Sequence, residues 1–204
     1  EFILSALTLA KDSGAGGNLT VTAGGAITDT DTLEIAGVTT LVAGSTNDIT
    51  LNTSTNNFAA AVVITSGRNV AIIDENAIDL GASTVSGTYA VTATAGGDIT
   101  DSGVLAITGT STFTVADGRS ITLDQSSTFS DTVTFAASGG GTIASVTIND
   151  SNAFDLKTLT TTGNLTVTAG GNITDSGTVT VGGNLAATTN ANSGVIDLGS
   201  LEVD

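Results

Sequence analysis

The phrase GNLTVTAGG stands at Gly17–Gly25 and returns letter for letter at Gly163–Gly171, with a looser copy, TYAVTATAGG, at Thr88–Gly97. The likeness runs beyond the phrase. TAGG-x-ITD occupies Thr22–Asp29, Thr94–Asp101 and Thr168–Asp175, at spacings of 72 and 74 residues. Leu33–Gly37 corresponds to Leu105–Gly109 and Val179–Gly183, NDITL at Asn47–Leu51 to RSITL at Arg119–Leu123, and NAIDLG at Asn76–Gly81 to NAFDLK at Asn152–Lys157. Self-similarity at a fixed period marks a repeat architecture, in which a unit buries its apolar side only by stacking on its neighbours. The chain divides into superrepeats at about 17–87 and 88–162 and an incomplete third at 163–204.

A unit of this length is too long for one coil of a solenoid. Within it LTVTAG (Leu19–Gly24), TLVAG (Thr40–Gly44) and VVITSG (Val62–Gly67) each end an alternating run in glycine, and they start about 22 residues apart. That spacing predicts about three coils per superrepeat and about nine in the chain. The alternation has period two. Leu19, Val21, Ile27, Leu33 and Ile35 point to one side, with Thr20, Thr22, Thr28 and Glu34 to the other. The equivalent core set is Val91, Ile99, Leu105 and Ile107 in the second unit and Leu165, Val167, Ile173, Val179 and Val181 in the third. Gly24, Gly37, Gly96, Gly109, Gly170 and Gly183 fall between the runs and read as turns. Asp31 is replaced by Gly103 and Gly177 in the sister copies, which predicts a positive φ there.

Strand pairing by hairpins is disfavoured, because Asp117-Gly118 is the only Asp-Gly pair and no Asn-Gly exists. Abundant Val, Ile and Thr favour strands. The predicted fold is all-β: a right-handed parallel β-helix, a solenoid of about nine coils of about 22 residues, with coils stacked at ~4.8 Å. Interchange of Ile64 with Phe135 and of Ile78 with Phe154, and recurrence of Phe58 as Phe129, predict buried core positions that tolerate a ring.

Composition then narrows the function. Four Lys and Arg face 20 Asp and Glu, a formal net charge of −16. Lys11, Arg68, Arg119 and Lys157 are scattered, so no basic patch exists to neutralise nucleic-acid phosphates. No apolar run approaches the ~20 residues of a membrane span. No residue is Cys, His, Pro, Met or Trp, which removes disulfides, thiolate and imidazole metal ligands and the usual general base. The absence of Met and the interruption of the pattern at Leu201–Asp204 read as a segment of a longer protein.

GNLTVTAGGAITD, NDITL and GTVTVGGNL resemble the β-helical repeats of large secreted bacterial adhesins, the filamentous-haemagglutinin-like exoproteins and their relatives with long β-strand repeats. The resemblance spans nearly the whole chain from Gly17. It implies a secreted or bacterial cell-surface location and a fibrous stalk used in attachment or aggregation. Its implied partners are flanking repeats or end-to-end copies of the chain, and a host or neighbouring-cell surface. The Asn-Pro motifs of that family's secretion domain are absent from this Pro-free sequence.

The residues offer few sites. Asp29 with Asp31 and Asp98 with Asp101 are close carboxylate pairs of a kind able to serve as acid and base, but Asp98 is Ala26 and Asn172 in the sister copies, as a turn position would be. No catalytic residue and no cofactor are expected. Asp29, Asp31, Asp101 and Asp175 are the weak Ca²⁺ candidates, with Asp74, Glu75 and Asp150 behind them; both known calcium-loop signatures, GGxGxD and the EF-hand loop, are missing. Solvated turns are the expectation for these carboxylates. Thr20-x-Thr22, Thr92-x-Thr94, Thr112-x-Thr114 and Thr166-x-Thr168 present outward threonine pairs of the kind that orders water on ice, yet Thr40/Val42 interrupts such a ladder in the next coil. Asn18, Asn52, Asn164 and Asn172 head Asn-x-Thr/Ser triplets that an Asn- and Thr-rich chain produces by chance.

Overall fold

The computed structural model describes residues 1–10, 16–199 and 201–203. Lys11 lies outside them. Among the described residues every strand pairing is parallel, and regular helix is limited to one 3₁₀ turn at Ser138–Gly140. Short strands of alternating β-branched and threonine residues turn a corner after three to five residues, so the chain winds instead of folding back. Each turn contributes three strands, and about nine turns make a parallel β-solenoid. The residues advanced per turn range from 18, between Val62 and Leu80, to 26, between Leu7 and Leu33.

Three faces result. The first carries Phe2–Leu4, Ile27–Asp29, Ile49–Leu51, Val70–Asp74, Tyr89–Ala93, Ser111–Val115 and Val133–Ala137 in one seven-stranded ladder, and continues with Leu159–Thr161, Val179–Val181 and Leu201–Val203. The second carries Leu7–Leu9, Leu33–Ile35 and Asn57–Phe58, then Ile78–Leu80, Ile99–Asp101, the start of Ile121–Phe129, Val146–Asp150, Leu165–Ala169 and Leu185–Thr189. The third carries Leu19–Thr22, Thr39–Val42 and Val62–Ser66, then Ser83–Val85, Leu105–Ile107 and the end of Ile121–Phe129, then Phe154–Leu156, Ile173–Asp175 and Ile196–Asp197. Val62–Ser66 straddles a corner: Val62 pairs with Leu80, and Gly67 with Val85.

The inward residues form one continuous apolar column. Leu19, Val21, Ile27, Leu33, Ile35, Val91, Ile99, Leu105, Ile107, Leu165, Val167, Ile173, Val179 and Val181 are all buried. Phe113 stacks on Phe135 at 6.2 Å between centroids and meets Tyr89 and Phe129 edge-on at 6.0 and 6.1 Å. At about 25 cal/mol per Å² of apolar surface, each buried Val, Leu or Ile contributes about 1.5–3 kcal/mol, and losing one costs both that and a cavity.

The register shows about three turns per superrepeat, with a small remainder. The phrase strands Leu19–Thr22 and Leu165–Ala169 belong to one eleven-stranded ladder, joined through the Val62–Leu80 pairing at the corner, whereas Tyr89–Ala93 belongs to the seven-stranded ladder. Each copy begins ten strand positions after the last, counting Ile121–Phe129 as two because it passes a corner; at three per turn that is three and a third turns. Successive copies therefore do not stack on one another. The physical reason is length: 72 or 74 residues exceed three turns of about 22 by one strand and its corner.

The positive φ expected at Gly103 and Gly177 is also corrected, since neither is among the positive-φ glycines. Crowding accounts for them. A Cβ on Gly103 would meet Ala82 N at 2.1 Å, and one on Gly177 would meet Thr158 N at 2.2 Å, because stacked corners bring backbones of successive turns together. Of the six expected turn glycines only Gly96 has positive φ, at +97°; Gly37, Gly109, Gly170 and Gly183 sit at similar close approaches, and Gly24 faces open space.

Candidate functional site: the carboxylate corners

Corners break the strand ladder and leave backbone N–H groups without a carbonyl partner, which is costly when buried. Short side-chain oxygens from the turn below fill that need. Asn18 Oδ1 accepts the Val38 N–H at 2.8 Å, Asp98 Oδ1 that of Ser120 at 2.9 Å, Asp117 Oδ1 that of Thr142 at 2.8 Å, Asn164 Oδ1 that of Asn184 at 2.9 Å and Asn172 Oδ1 that of Val195 at 3.0 Å. Three of the four Asn-x-Thr asparagines are therefore corner caps, as is the Asp98 that sequence paired with Asp101.

The four calcium candidates are not brought together. Asp29 is on the first face, Asp101 on the second and Asp175 on the third, and Asp31 is exposed, its Oδ1 accepting the adjacent Thr32 N–H. Each ITD aspartate caps the next turn. Asp29 accepts the N–H of Asn52 at 3.0 Å and of Thr53 at 3.2 Å, plus Asn56 Nδ2 at 2.5 Å. Asp101 Oδ1 accepts the N–H of Asp124 at 2.9 Å and of Gln125 at 3.4 Å, and Asp175 Oδ1 that of Gly199 at 2.7 Å. Among the described residues no group of three or more acidic side chains is arranged to hold a metal ion.

The expectation that turn carboxylates are solvated fails at Asp74, Asp101 and Asp150, which are buried. Asp74 and Asp150 occupy equivalent places where the ladder breaks between Asn57–Phe58 and the following turn, and between Phe129 and the following turn. Asp74 takes the Phe58 N–H at 2.8 Å and the Asn76 N–H at 2.7 Å; Asp150 takes those of Phe129 at 3.3 Å and Asn152 at 3.0 Å. A carboxylate substitutes for the absent strand. Burial pushes the Asp74 and Asp101 carboxyls up to about 6 and raises Asp150 as well, opposed in each case by the N–H donors. The wedge role was not visible in sequence, although recurrence of Asp at two equivalent positions ahead of NA-(I/F)-DL was the signal that pointed to it.

Of the cations, Arg68 forms a bidentate pair with Asp48 at 2.8 Å, and Lys157 meets Asp155 at 2.5 Å and Ser176 at 3.0 Å. Arg68 draws the Asp48 carboxyl down to about 2. A cavity of about 150 Å³ lies at the ladder break beside Phe129, Asp150, Phe154 and Lys157. The threonine ladder is longer than sequence suggested: Thr100, Thr122, Thr147 and Thr166 stand in unbroken register on the second face, between Asp79 below and Ala186 above. No helix among the described residues is long and apolar enough to cross a membrane.

Neither the curated proteins nor the solved structures contain a significant match to the chain. One family model does match, three times in succession, at residues 4–65, 67–136 and 143–201. The unmatched stretch between the second and third matches holds the 3₁₀ turn at Ser138–Gly140. Because the matches tile nearly the whole solenoid, the chain belongs to the family of repeats of unknown function DUF5649.

Proposed function

We propose that the chain is a non-catalytic structural segment: a stiff β-solenoid rod of a bacterial secreted or surface protein, holding adhesive modules away from the cell. The observation that carries this reading is the single apolar column running through every turn, with polar side chains at the corners tied into backbone caps. Stability then accumulates by nearest-neighbour contact along the axis, and length is set by repeat number. Nine turns at ~4.8 Å give a rod about 43 Å long. The strong negative charge suits a solvated surface that repels its copies.

Inserting the segment between a bacterial surface anchor and a fluorescent head tests the stalk. The head-to-membrane distance should increase by about one rod length, and by proportionately more with a doubled segment. An unchanged distance refutes the reading. A second reading, a self-assembling filament subunit, rests on the uniform parallel stacking, which a second copy can continue turn upon turn. Electron microscopy separates the two, since the stalk gives discrete rods and the subunit gives fibres one chain wide.

A further inference from the structure

The strand ladder is interrupted at equivalent places after Phe58 and after Phe129, and the two interruptions close differently. After Phe58, Val62 pairs with Leu80 of the turn above, and the Gly81 N–H donates to the Val62 carbonyl at 2.9 Å. That approach needs glycine, because a Cβ on Gly81 would meet Val63 Cγ2 at 2.5 Å and the Val62 carbonyl oxygen at 3.3 Å. The wedge Asp74 uses both of its oxygens there, Oδ2 for the Phe58 N–H and Oδ1 for that of Asn76.

After Phe129, the match of NAFDLK to NAIDLG sets Lys157 where Gly81 stood. A lysine cannot make the glycine's approach, and the turns stay apart. Val133–Ala137 is the last strand of its ladder, and Phe154–Leu156 is the first of another. The cavity of about 150 Å³ fills the space between them. Asp150 lines it while only 1% exposed, and both N–H groups it accepts end on Oδ1, which leaves Oδ2 to the cavity. Phe129, Val133 and Phe154 supply an apolar wall. Ser130 and Thr132 bring hydroxyls where the closed interruption has Ala59 and Ala61.

Charge and size decide the class of occupant. An anion would face Asp131, Asp150 and Asp155. Asp155 is matched by Lys157 and Asp131 is exposed to solvent, so one buried carboxylate oxygen remains, close to an ammonium. A ligand hydroxyl satisfies that oxygen without taking a second cation out of water beside Lys157. Sites for drug-sized ligands measure ~300–1,000 Å³, so this smaller one holds a single ring. We propose that the cleft between Phe129–Val133 and Phe154–Lys157 is a binding site for one neutral sugar residue. A ring hydroxyl donates to Asp150 Oδ2, the Ser130 and Thr132 hydroxyls bond its neighbours, and the C–H face lies on the apolar wall. Affinity on the order of 1 mM follows for a ligand of about a dozen non-hydrogen atoms. The site is independent of the stalk role.

Proton–nitrogen correlation NMR of the whole chain tests the site, with glucose, galactose, mannose and N-acetylglucosamine as separate probes and ethylammonium and acetate as charged controls. At least one sugar, at about 50 mM and so well above the expected dissociation constant, should give saturable shifts at the amides of Ser130–Val133 and Ala153–Lys157. Lys157→Gly, which copies Gly81, should let the turns close and abolish those shifts while the rest of the spectrum is kept. Ser130→Ala with Thr132→Ala, which copies Ala59 and Ala61, should leave the cleft open and weaken binding about tenfold. Silence with all four sugars, or shifts spread over other turns, overturns the proposal. Shifts that survive Lys157→Gly, or a response to ethylammonium or acetate alone, do so too.

Discussion

Asp29 and Asp101 end the same letters, ITD, at the same point of successive repeats, yet they live in different electrostatic worlds. Asp29 is half-buried and receives three donors, one from Asn56. Asp101 is buried, receives two on a single oxygen, and has Asp79 and Asp124 for neighbours. The difference lies in residues about 20 positions away in either direction, because stacking makes the turn below and the turn above the local environment. Identical words on two faces of a solenoid have different neighbours whenever the repeat is not a whole number of turns.

The sharpest way to break the comparison is through the core the two copies share. Val91→Asp, in the second copy of the phrase, places an unpaired charge in the middle of the column and should abolish the cooperative transition, a loss above about 4 kcal/mol. The same change at Val21, in the first copy, should unravel only the opening turns, since nearest-neighbour stability lets the remainder stand. Thermal melts followed by circular dichroism distinguish global from partial loss. An unaltered curve for Val91→Asp contradicts the solenoid.

Exchanging the corner residues Asn56 and Ser127, which take the equivalent Leu33 and Leu105 N–H groups, should exchange the behaviour of the two aspartates. Asn56→Ser should cost about 1–3 kcal/mol, the penalty for stripping a buried acceptor of its donor, and Ser127→Asn should return about 1 kcal/mol. Urea denaturation of both variants measures the pair; equal effects of one sign sink the explanation.

The pH response has a defined direction. Asp74 and Asp101 titrate near 6 folded against 3.8 unfolded, so between those values the folded state holds protons that the unfolded state has released. Stability is therefore fully present below about pH 3.8 and falls as pH rises through about 6. Melting temperature should climb by several degrees between pH 7 and pH 5. Ser127→Asn should flatten that slope by favouring the Asp101 carboxylate. A melting temperature that declines over this interval would contradict the burial assigned to the two carboxyls.

The smallest effect belongs to the exposed pair. Arg68→Ala should cost less than about 1 kcal/mol, because a bidentate pair in water gains little and salt screens it. Asp48, drawn down to about 2, loses its contribution only as pH falls from 3.8 toward that value, opposite in sign to the buried corners.

Much of this architecture was legible from residues. The alternation Leu19-Thr20-Val21 declares its buried side, and LTVTAG, TLVAG and VVITSG declare the turn length, because period two and tight corners are local properties of the chain. The absence of His and Cys limits the chemistry open to the chain. The carboxylates were misjudged, since a sequence places Asp74 in a polar turn and cannot reveal that the strand beneath lacks a partner. Tertiary structure alone decided which ladder each copy occupies, which backbones crowd Gly103 and Gly177, and which aspartate meets a side-chain amide, an ammonium or backbone N–H groups alone. Those outcomes depend on pairing across about 20 residues, and a one-strand remainder per repeat, invisible in any single copy, sets them all.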